Sequence, residues 1–74
     1  MSYSPSSVSV QVGQQVRWRN ADNIAHTATR TGVFDTGNIP AGATSGPITF
    51  NAPGPVPYLC LYHPGMVGSL TVTP

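Results

Sequence analysis

The chain has 74 residues, which is one small domain and too little for a second core. Charged residues are 7% of it, with no Lys or Glu, so the net charge of +1 rests on Arg17, Arg19, Arg30, Asp22 and Asp35; nucleic acid and anionic membrane surfaces find too few cations to bind. The single cysteine, Cys60, excludes an internal disulfide, and a chain this short that is 39% hydrophobic gains from a metal or a partner.

No run approaches the roughly 20 apolar residues of a membrane span, and the stretch from Met1 to Val10 lacks the basic and apolar regions of a signal peptide. The expectation is a single domain over 1–74, excised from a longer or membrane-anchored chain or a mature form of one. Apolar residues nowhere recur at helical spacing, and eight Gly and eight Pro punctuate the chain, so the elements are strands. Val8, Val10 and Val12 alternate with polar residues, Gly13-Gln14 turns the chain, and Val16 and Trp18 alternate with Arg17 and Arg19, whose charges face water. The Thr-rich segment Ala25 to Thr31 suits a strand. Gly32 to Ser45 reads as a long loop with turns at Asp35 to Gly37 and Pro40 to Gly42. Ile48 and Phe50 form a short strand, Pro53 to Pro55 a turn, and Val56, Tyr58 and Cys60 share one face of the next strand. Leu70 and Val72 close the chain. Short strands with turns between them predict an all-β Greek-key sandwich or small barrel.

The chemistry concentrates between Tyr58 and Gly68, where Cys60, His63 and Met66 are spaced C-x-x-H-x-x-M. Thiolate, imidazole and thioether select copper over calcium or magnesium, and a second imidazole completes a trigonal Cys-His-His site with a weak axial Met. His26, the other histidine, is the candidate. Taken singly, each of these residues has a plainer reading: Cys60 as a small buried hydrophobe, His26 as a satisfied polar group, Met66 as core. Their combination outweighs those readings. Trp18 and Phe50 are core aromatics, Tyr62 a surface aromatic, and Asp22 and Asp35 serve turns. No Ser-His-Asp set, carboxylate pair or phosphate loop is present, and Cys60 lies too deep for a nucleophile.

Several stretches together resemble the cupredoxins, the type 1 (blue) copper family that includes plastocyanin and amicyanin. They are Tyr3-Ser4-Pro5, the run from Val12 to Asn20 with Asp22 following, His26-Thr27, Gly37 to Gly42, and the Cys60 to Gly68 run. The two-residue gap between His63 and Met66 is similar to amicyanin's. The resemblance implies one type 1 copper per chain, with His26, Cys60 and His63 as strong equatorial ligands and Met66 as the long axial one. It implies a Greek-key β-sandwich and a one-electron Cu(I)/Cu(II) shuttle, not an enzyme, in the periplasm or at the cell surface. A transient redox partner is expected to dock near His63, Pro64, Gly65 and Val67, with Ile39 and Pro40 beside them.

Members of the family usually carry a strand before the Ser-Pro motif, and only Met1, Ser2 and Tyr3 precede Ser4-Pro5 here. A lacking or truncated first strand leaves an exposed sheet edge that favours pairing with another chain or domain. Thr27 is expected to donate its N–H to the Cys60 thiolate. Tyr62, where some relatives have Pro, keeps its N–H as well, so a comparatively high reduction potential is expected. Two further functional classes stay open: a copper storage or delivery module, and an electron-entry domain of a larger redox enzyme.

Overall fold

Side chains of an extended chain point alternately to its two faces, and the burial of the first strand follows that rule. In the computed structural model, which describes residues 2–74, β1 (Ser7–Gln11) half-buries Val8 and Val10 and exposes the residues between them. The other strands are β2 (Gln15–Val16), β3 (Thr29–Arg30), β4 (Phe34–Asp35), β5 (Ile48–Thr49), β6 (Gly54–Cys60) and β7 (His63–Thr73), and no helix occurs among the described residues. One sheet runs β1-β7-β6-β3-β4 and the other pairs β2 with β5. The architecture is the expected all-β Greek-key sandwich.

Register places the apolar residues together. β1 lies parallel to β7 with Val8 opposite Leu70 and Val10 opposite Val72, while β6 runs antiparallel to β7 with Val56 opposite Leu70 and Tyr58 opposite Gly68. Ala28, Phe50, Tyr58, Leu70 and Val72 form the buried core, and Trp18 and Phe34 pack on it. Leu70 and Val72 are each 2% exposed, burial worth about 1.5–3 kcal/mol apiece. The Trp18 ring stacks on Phe34 at 5.3 Å and meets the Tyr58 edge at 5.5 Å.

Three elements depart from the sequence reading. The strand expected from Ala25 to Thr31 is regular only at β3, because residues 26 and 27 spend their hydrogen bonds on Ile39 and on the site below. β4 lies inside the segment read as a loop; Gly32, at φ 83°, turns the chain so that Phe34 reaches the core. The turn expected at Pro53 to Pro55 gives way to strand at Gly54, which pairs with Val72.

One flank is open. Trp18 and Asn20 use their backbone groups toward Ser45, Ala43 and Gly42, whereas the N–H and C=O groups of Arg17 and Arg19 find no partner among the described residues. A groove of about 470 Å³ runs along this edge, lined by Tyr3, Val8, Val16, Trp18 and Tyr58 and reaching His26 and Met66.

Candidate metal centre

β6 ends at Cys60, residues Leu61 and Tyr62 make the turn, and β7 begins at His63, which pairs with Cys60 across the ladder. The ligand segment is therefore a tight hairpin. This return brings Nδ1 of His63 to 3.7 Å from the Cys60 sulfur. His26 arrives from another part of the chain. Its N–H donates to the carbonyl of Ile39 at 3.1 Å and its carbonyl accepts from Ile39 at 2.7 Å, which holds its Nδ1 3.8 Å from the same sulfur. The donor atoms of His26, Cys60 and His63 lie within 4.8 Å of one another. Met66, on β7, is buried and lines the wall that His26 also lines.

The thiol is sealed and electrostatically primed. Cys60 is 0% exposed. Burial pushes its pKa up, but the N–H of Thr27 at 3.4 Å, the His63 and His26 rings and the N–H of Tyr62 together outweigh that and bring it down to about 6. Of the two backbone donors expected from the sequence, the Thr27 N–H makes the hydrogen bond to sulfur at 3.4 Å, and the Tyr62 N–H acts on it more weakly. His26 is held above its ordinary range, chiefly by its bond to Cys60; burial opposes this and Asp22 adds to it. The Tyr3 hydroxyl is pushed well above its usual range, first by burial and then by the Cys60 thiolate.

Thr27 holds the two halves together. Besides its N–H to sulfur, its Oγ1 accepts from the N–H of Leu61 at 2.9 Å and its carbonyl accepts from the Tyr3 hydroxyl. Sequence reasoning missed this role of the side chain. It also missed that Asp22, read as a turn residue, sits 2.7 Å from Nε2 of His26, although the four-residue spacing was a signal. Tyr62, read as a plain surface aromatic, donates its hydroxyl to Asn38 at 2.9 Å. Asp35 does serve its turn, accepting from the N–H of Gly37. Of the expected docking residues, Pro64, Gly65 and Val67 are exposed and His63 half-buried, but Ile39 is 5% exposed and spends its surface inside.

A triangle of one thiolate and two imidazoles, with sides under 4.8 Å, has room for one first-row ion. With a thioether nearby, that donor set is the one that distinguishes type 1 copper from oxygen-ligated metals and from ordinary structural zinc. Neither a family model nor a curated protein sequence matches this chain. Solved structures do. A purple cupredoxin from Nitrosopumilus maritimus matches with TM-score 0.85 and 28% identity over 96% of this chain and 81% of that one. A reduced mutant of amicyanin matches with TM-score 0.86 and 26% identity over 97% and 73%. A copper-containing nitrite reductase from Thermus scotoductus matches with TM-score 0.87 and 29% identity over 99% of this chain but 20% of that one. Fold, donor set and structural likeness together define a domain of the cupredoxin type with a site for one copper ion.

Proposed function

We propose that residues 1–74 act as one electron-transfer domain in which His26, Cys60 and His63 are the equatorial ligands of a type 1 copper and Met66 is the axial one. The observation that carries this reading is the buried Cys60 sulfur, flanked by two histidine nitrogens at 3.7 and 3.8 Å and approached by the Thr27 N–H. Copper bound there supplies a one-electron Cu(I)/Cu(II) couple. The chain's own contribution is to hold the donors in place, keep water from the sulfur and spread the thiolate charge onto backbone N–H groups.

His63 is the electron port in this reading. It is half-buried, and exposed Pro64, Gly65 and Val67 next to it, with Leu61 and Tyr62, make a small apolar surface suited to brief contact with a protein partner. No substrate is turned over, and the domain works in the periplasm or at the cell surface. The backbone groups of Arg17 and Arg19, without a partner among the described residues, favour an added strand from another chain or domain. A second reading, the electron-entry domain of a larger redox enzyme, has support in the nitrite reductase match, where a chain of this size corresponds to one fifth of the enzyme.

One equivalent of Cu(II) added to the metal-free protein tests the proposal. An intense thiolate-to-copper absorption band with an unusually small copper hyperfine splitting in the electron paramagnetic resonance spectrum is the expected result. Bleaching without that band overturns it and favours storage or delivery of copper.

A further inference from the structure

The two ring nitrogens of His26 face opposite ways, and each has its own partner. Nδ1 looks toward the Cys60 sulfur, while Nε2 lies 2.7 Å from Oδ2 of Asp22. The position of Asp22 is set by a buried neighbour. Its N–H donates to Oδ1 of Asn20 at 2.9 Å. Asn20 is 5% exposed and pinned at both ends: its Nδ2 donates to the carbonyls of Ile24 and Ile39, and its backbone bonds Ala43 and Gly42. Ile39 is the residue whose backbone exchanges two hydrogen bonds with His26. A single buried amide therefore ties the Asp22 turn to Ile39, the residue whose backbone bridges to that of His26.

The charge of Asp22 is also unshared. Among the described residues it forms no ion pair with an arginine, although Arg17 and Arg19 line the same groove. The chain's other carboxylate, Asp35, is committed to Thr29 and Gly37. The carboxylate's closest polar contact is thus the outer nitrogen of His26.

We infer that Asp22 is a positioning residue of the metal centre, whose carboxylate accepts the Nε2 proton's hydrogen bond, turns the Nδ1 lone pair toward Cys60 and makes the ring a more electron-rich donor. The inference rests on the reading of His26 as a ligand. Carboxylate partners of this kind fix the tautomer of a ligating histidine and raise its basicity. The effect is opposite in sense to that of the N–H donors on Cys60. Thr27 and Tyr62 withdraw charge from the sulfur and favour Cu(I), whereas Asp22 adds charge through the imidazole and favours Cu(II).

Two variants separate geometry from charge. Asp22→Asn keeps an oxygen acceptor for Nε2–H and removes the charge, and Asp22→Ala removes both. Nitrogen-15 chemical shifts of the metal-free proteins, recorded in a Cys60→Ala background and at a pH where His26 is neutral, are expected to show His26 with its proton on Nε2 in the parent and in Asp22→Asn, and a mixture of tautomers in Asp22→Ala. Competition titrations with Cu(II) and Cu(I) are expected to show Cu(II) affinity falling about 10- to 100-fold in Asp22→Ala, with Cu(I) affinity much less changed. Each tenfold change in that ratio raises the reduction potential by about 59 mV, and Asp22→Asn is expected to rise by part of the same amount. The inference is overturned if Asp22→Ala leaves the tautomer unchanged or if neither variant moves the Cu(II) to Cu(I) affinity ratio. The tautomer measurement needs no metal, so it fails or succeeds independently of whether the parent protein gives the thiolate-to-copper band.

Discussion

Replacing Gly68 by alanine puts a methyl group where the Tyr58 ring already lies. A Cβ at Gly68 would stand 2.6 Å from Oη, 2.7 Å from Cζ and 2.9 Å from Cε2 of Tyr58, against ordinary contacts of about 3.5–4.0 Å, so the ring must move by roughly 1 Å. It has little freedom to do so. Tyr58 is 5% exposed and boxed by Tyr3 at 4.7 Å, Trp18 at 5.5 Å and Phe34 at 5.9 Å. Overpacking of this kind costs about 1–3 kcal/mol, and removing glycine from a strand interior returns about 0.5–1 kcal/mol. The net expectation is a loss of about 1–2 kcal/mol, and at about 4–8 °C per kcal/mol for a domain of this size a fall in Tm on the order of 10 °C. Thermal unfolding of the metal-free protein, followed by circular dichroism and by Trp18 fluorescence, measures it. In a Tyr58→Leu background the shorter side chain leaves room, and the same alanine is expected to cost much less. An unchanged Tm in Gly68→Ala, or an equal penalty in both backgrounds, refutes the packing argument.

Other predictions concern the site. In the metal-free protein the Cys60 pKa is lowered from 9.0 to about 6. The stability it contributes is therefore whole above pH 9 and is lost as pH falls through 6, up to about 4 kcal/mol. His26 acts in the opposite sense, because a raised pKa gives stability that is whole below pH 6.5 and is lost as pH rises through its folded value. Denaturant titrations of the parent and Cys60→Ser from pH 5 to 9, repeated in a His26→Ala background, separate the two contributions; a stability difference that does not grow with pH in that background contradicts the first. Tyr62→Pro removes an N–H that helps to lower the Cys60 pKa and is expected to lower the reduction potential by on the order of 50 mV. Tyr62→Phe keeps the N–H and leaves the potential near that of the parent; voltammetry showing an unchanged or higher value for Tyr62→Pro defeats the reasoning.

The sandwich and most of the donor cluster were legible because both rest on short-range patterns. Alternation of Val8 and Val10, and of Tyr58 and Cys60, exposes a two-residue period, and C-x-x-H-x-x-M places three soft donors within seven residues. What escaped were features made by pairing across distance. β4 is two residues long and has no alternation to display; its existence depends on Phe34 finding the core. Asp22 and Asn20 look like ordinary turn formers, and only the fold shows that the turn they make abuts the ring of His26. Thr27 likewise shows its use only once Leu61, thirty-four residues later, is beside it.

That uneven reach also sets the order in which the molecule can be assembled. Cys60 and His63 face each other across a two-residue turn, and such hairpins close in about 1–10 μs. Closing the sandwich takes partners much further apart: Thr27 lies 33 residues from Cys60, and Ser7 in β1 pairs with Ser69. Folds dominated by such distant pairings are completed in milliseconds to seconds. During that interval the thiol and one imidazole already stand side by side while the wall that will exclude water from them is still missing. Exclusion of water from the Cys60 sulfur is accordingly a property of the closed sandwich, gained only after the first two donors have met.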